Sequence, residues 1–130
     1  MRYVVSAALI VAGIIHLLPL PGVAGAESLA ALYGIEVAGT DLAILMRHRA
    51  VVLATLGVFM LLAAFRPTLR AAAISVGLLS AVSFLWLAWS VGGYNEKIAR
   101  VVAADVVAAI CLVIAAIAAL VDSRRAARRA

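Results

Sequence analysis

DLAILMRHRAVVLATLGVFMLLAAF, residues 41–65, is the stretch whose reading decides the fold. A helix crossing the hydrocarbon core of a bilayer takes roughly 20 mostly apolar residues, and this segment is long and apolar enough to do so. Yet Arg47, His48 and Arg49 stand inside it, about two helical turns from its start. A cationic side chain at membrane depth costs roughly 2.5 to 3.5 kcal/mol on insertion scales, so it persists where other groups in the fold compensate it. The stretch therefore predicts both a membrane-spanning bundle and, at one level of it, a polar site.

The whole chain agrees with that reading. Of its 130 residues, 68% are hydrophobic and 13% charged, well outside the balance of soluble domains, in which about half the residues are apolar. The formal net charge of +5 comes from basic residues gathered at segment ends and in the C-terminal tail, where they act as topology determinants. No nucleic-acid partner is expected. A single cysteine, Cys111, excludes an intrachain disulfide and any multi-cysteine metal site.

Outward from the central stretch, three further spans are expected. The first covers residues 2–18 and is short for a crossing, so one end reaches only the interface; Pro19, Pro21, Gly22 and Gly25 mark its exit. Its apolar run after Arg2 resembles a signal peptide in outline, but retention as a first helix is the expectation. Residues 26–34 predict a short interfacial helix in the first outer loop, stopped by Gly34. Thr40 or Asp41 caps the second span, and Arg66 and Pro67 end it in a tight hairpin.

The third span covers residues 67–91, where Ser75, Gly77, Ser80 and Ser83 permit close helix approach within or between chains, and Trp86 and Trp89 suit the interface. The fourth covers 96–121. Residues 1–122 then form a four-helix transmembrane bundle, all-α, and 123–130 a solvated basic tail. Arg2, Arg66, Arg70, Arg124, Arg125, Arg128 and Arg129 fall on one side of such a bundle. The positive-inside rule makes that side cytoplasmic, with both termini inside.

His16, Arg47, His48, Arg49, Trp86, Trp89 and Asp105 all fall at a similar depth on their helices. A polar pocket in the outer half of the bundle, above a dry inner half, follows. Arg47 and Arg49 are about 200° apart on a helix, so one meets Asp105 while the other faces the interface loop or snorkels toward headgroups. Two uses of that cluster stay open: an ion pair that locks the bundle, or guanidinium donors offered to an anionic or carbonyl-bearing ligand. His16 and His48 raise haem as a third possibility, on a weak ligand set.

HLLPLPG at 16–22, ALYGI at 31–35, LAILMRHRAVVLATLG at 42–57, FLWLAWSVGGYN at 84–95 and RVVAADVVA at 100–108 together resemble small bacterial four-helix membrane proteins of the DoxX-like group. The resemblance covers nearly the whole chain. It implies a four-helix bundle of the bacterial cytoplasmic membrane, and some members of the group are associated with membrane oxidoreductase complexes and quinone chemistry.

The expected function is accordingly a pocket for a quinone, isoprenoid or other amphiphile, in an accessory subunit of a membrane oxidoreductase. A purely structural core and an oligomeric small-molecule transporter are the alternatives, and homo-oligomers are compatible with each. No stand-alone catalytic motif is present. A phosphopantetheine adenylyltransferase activity, sometimes assigned to chains similar to this one, lacks a βαβ pattern, a glycine-rich phosphate loop and an HxGH element.

Overall fold

A computed structural model describes residues 2–128. Among them are five α-helices and no strand: α1 Arg2–Leu17, α2 Ala26–Tyr33, α3 Thr40–Phe65, α4 Arg70–Val91 and α5 Glu96–Ala127. Tight 3-10 turns at Leu20–Ala24 and Pro67–Leu69 follow α1 and α3. Four segments are long and apolar enough to cross a membrane, and α2 is the short one between the first two.

Local chemistry sets most of the boundaries. Pro67 has no N–H to continue α3, and Arg66 turns extended, at φ −119° and ψ 96°. Gly34 ends α2 in the left-handed region at φ 65°, donating its N–H to Ala30 O at 2.8 Å. Asn95 caps α5 by accepting the Ile98 N–H on Oδ1 at 2.9 Å.

Helix α1 ends at Leu17, where the proline-rich exit places it, and a 3-10 turn carrying Pro21 and Gly22 extends the apolar segment from Tyr3 to Ala24. Two boundaries differ from the sequence expectation. Gly39, not Thr40 or Asp41, stands at the N-cap of α3, and no side chain caps it. Helix α5 continues through Ala127, because the alanines and arginines after Val121 are strong helix formers. The basic tail is thus helical over residues 122–127, and Arg129 and Ala130 lie outside the described residues.

Helix α1 packs between α3 and α5, while α4 lies mainly on α5 and less on α3. Two glycines permit the α1–α3 contact: a Cβ on Gly57 would stand 2.7 Å from Gly13 O and 3.0 Å from Leu17 Cγ. Gly77 takes Met60 of α3 and Leu112 of α5 against its bare backbone, which assigns this small position to packing within one chain.

The core fills the end of the bundle near the α3–α4 hairpin. Leu9, Met60 and Leu112 are fully buried there, with Ala12, Ala63, Ala73, Ala108 and Ala115 letting the backbones close in. That end is not entirely dry. Arg70 donates from Nη2 to Ser6 Oγ at 2.8 Å and Ala64 O at 2.9 Å, and Ser6 Oγ donates to the same carbonyl at 2.7 Å. A residue expected to serve only as a flanking charge therefore ties α1 and α3 to α4.

The opposite end is closed differently. Helix α2 packs on the 3-10 turn after α1 and is tied to the start of α5 by hydrogen bonds.

Candidate functional site

Beneath α2 lies a cavity of about 550 Å³, bounded by all five helices. Arg49 is positioned in it by three contacts. Its Nη1 donates to Tyr33 Oη at 2.9 Å, and its guanidinium carbon lies 5.2 Å from the centre of the Tyr33 ring and 5.6 Å from that of Phe84. One cation thus joins α3 to both α2 and α4. Cation–π attraction at such distances is worth about 0.5 to 2 kcal/mol, more where water is excluded.

His16 lines the same cavity from α1 and is only 3% exposed. Its Nδ1 lies 2.9 Å from Ala12 O, an acceptor only, so the proton sits on Nδ1. Nε2 is left as an acceptor in the neutral ring. Asp105 enters from α5, half-buried, and lines the cavity with His16 and Arg49. The expected ion pair is not closed: among the described residues no basic nitrogen lies within 4.0 Å of its carboxylate. Arg49 spends its reach on the two aromatic rings instead.

The remaining predicted residues separate from this group. Arg47, on the other side of α3, donates from Nε to Val23 O at 2.8 Å and holds the 3-10 turn. His48 is exposed and does not line the cavity, so His16 and His48 do not form one ligand pair. Among the described residues no cluster of three or more potential metal ligands occurs. A bis-histidine haem within one chain does not fit this arrangement. Trp86 and Trp89 pack on each other at 5.3 Å between ring centres and are 61% and 75% exposed, facing away from the cavity.

Two polar contributors were not singled out from sequence, whereas Tyr33 was expected over the pocket from its place beside the start of the second span. Lys97 and Arg100 line the cavity from the start of α5, and Tyr33 hangs into it from α2. The signal was present in the text: Lys97, Arg100, Val101, Ala104 and Asp105 follow the spacing that shares one helix face. Read as boundary charges, the first two drop out of that stripe.

Comparison with protein-family models, curated proteins and solved structures finds no match.

Its roof is latched. Asn95 Nδ2 donates to Tyr33 O at 3.0 Å and Gly34 O at 3.2 Å, and Lys97 Nζ donates to Ala31 O at 2.9 Å. These are the carbonyls that the end of a helix leaves without intrahelical partners. Asn95 therefore caps two helices at once. Asn95→Ala is expected to cost about 1 to 2 kcal/mol locally, since it removes an N-cap and leaves two carbonyls short of donors. Hydrogen exchange of the α2 amides, read by mass spectrometry, should speed up by about tenfold while the core amides of α1 stay protected.

Proposed function

We propose that this chain is a four-span protein of the bacterial cytoplasmic membrane, both termini inside, that binds an amphiphile in the cavity beneath α2. The membrane reading is supported by the outward faces of the long helices, where Phe65, Leu79 and Val91 are 74%, 70% and 82% exposed. Large apolar side chains on nearly every outer face suit lipid and not water. The distribution of arginines, with Arg66, Arg70, Arg124 and Arg125 toward one end, supports the orientation.

One observation carries the ligand reading: the cavity joins an apolar wall to a few convergent polar groups. Leu53, Phe84 and Leu87 line it together with Arg49, His16 and Asp105. Its volume falls within the roughly 300 to 1,000 Å³ of small-molecule sites. A ligand carbonyl or anion would accept from the remaining guanidinium N–H groups of Arg49, and a hydroxyl would donate to Asp105 or to His16 Nε2. A quinone fits those donors as a carbonyl ligand, and the resemblance to DoxX-like proteins makes quinones and isoprenoids the first candidates. An accessory role beside a membrane oxidoreductase is the context that resemblance suggests.

The test is native mass spectrometry and lipid extraction on protein purified in a mild detergent, compared with Ser83→Trp. Ser83 lines the cavity yet is exposed, so an indole there fills the mouth without entering the core. The wild-type adduct should be lost from the variant. A ligand at about 100 times its dissociation constant should also raise wild-type stability by about 2.7 kcal/mol, and leave the variant unmoved. If wild-type protein carries no adduct and no quinone, isoprenoid or lipid raises its melting temperature, the proposal fails.

A further inference from the structure

We infer that the head of the bound amphiphile is an anion, a phosphate or carboxylate seated on Arg49, Lys97 and Arg100. This deepens the amphiphile reading, rests on it, and within it favours an acidic or phosphorylated amphiphile over a neutral quinone. Three cations line the cavity against one carboxylate, Asp105, and that carboxylate neutralises none of them at contact distance. The donors are also in surplus. Lys97 uses one ammonium hydrogen on Ala31 O, and Arg49 gives one N–H to Tyr33. Arg100 makes no hydrogen bond, ion pair or ring contact among the described residues.

The helix adds to the same sign. Lys97 and Arg100 occupy the first two turns of α5, where the positive end of the helix dipole disfavours cations. Glu96 sits in the same turn but does not line the cavity. Positive charge is thus stacked on positive charge at a cavity mouth, an arrangement that an oxyanion relieves and a neutral head does not. Along α5, Lys97 lies about 12 Å above Asp105 by helical rise, with Arg100 between. The anion belongs at the cation level near the mouth, and the chain against Leu53, Phe84 and Leu87.

Calorimetry on the full chain in an uncharged maltoside detergent tests this with dodecyl phosphate, dodecanol and inorganic phosphate as probes. Arg100 is exposed, so Arg100→Gln should fold normally. Dodecyl phosphate should bind at least about tenfold more tightly than dodecanol, and Arg100→Gln should weaken the phosphate about tenfold while leaving dodecanol unchanged. Inorganic phosphate that competes weakly supports the same head-group site. Inorganic phosphate binding as tightly as dodecyl phosphate overturns the amphiphile as its source and assigns the cations to a free oxyanion. Equal binding of both alkyl probes, insensitive to Arg100→Gln, overturns the anionic head and leaves the pocket standing. No alkyl binding at all, with Ser83→Trp indistinguishable from wild type, removes the pocket reading together with this one.

Discussion

Gly57→Leu is expected to abolish the folded bundle, and Gly57→Ala to destabilise it by about 1 to 3 kcal/mol, the usual cost of overpacking a tight core. The reason is that the neighbour is backbone. A Cβ on Gly57 would sit 2.7 Å from Gly13 O and 3.2 Å from Leu17 N, atoms that cannot swing aside as a side-chain tip can. Helix α1 would have to withdraw from α3, and α1 is the helix that also carries α5. Its displacement would open the core around Leu9, Met60 and Leu112. Val58→Leu, one residue on, supplies the control, because Val58 is 48% exposed on the outer face. Thermal unfolding in detergent, followed by size-exclusion fluorescence, reads the difference. A monodisperse Gly57→Leu protein melting with wild type would show that α1 and α3 do not meet as described.

How much of this was legible before the structure depends on what each residue's environment can be inferred from. Span limits were, because Pro67, Gly34 and Asn95 act through their own backbone or side chain within a few residues. The closeness of α1 and α3 was not, since Gly13 and Gly57 look like any membrane glycines until their helices are placed. Helix α3 is apolar on almost every side, so its periodicity does not reveal which face the bundle takes. Sequence spacing could say that Arg47 and Arg49 point apart, and no more. Choosing between them needs the positions of Tyr33 and Phe84, which are brought in by α2 and α4. The expected partner, Asp105, was a reasonable guess from charge alone, but two aromatic rings and a phenol hold Arg49 instead.

That placement makes the two arginines a sharp contrast. Arg49→Ala should remove retained ligand and loosen α2 together, whereas Arg47→Ala should leave retention intact and affect only the 3-10 turn. Arg49 contributes a hydrogen bond to Tyr33 and contacts to two rings. At about 0.5 to 1.5 kcal/mol for the hydrogen bond and about 0.5 to 2 kcal/mol for each ring contact, the loss is several-fold larger than for one exposed bond from Arg47 to Val23 O. Removing the guanidinium also withdraws one of the three cations that line the cavity with Asp105 and His16. Arg49→Lys is the informative intermediate: its ammonium keeps the charge but cannot lie flat between Tyr33 and Phe84 while bonding the phenol. Ligand retention by native mass spectrometry and α2 exchange rates should fall in the order wild type, Arg49→Lys, Arg49→Ala. Should Arg49→Ala retain its adduct while Arg47→Ala loses it, the cavity beneath α2 is not where the ligand sits. Should Arg49→Ala instead keep both its adduct and its protected α2, the guanidinium is not the element that joins the roof to the bundle.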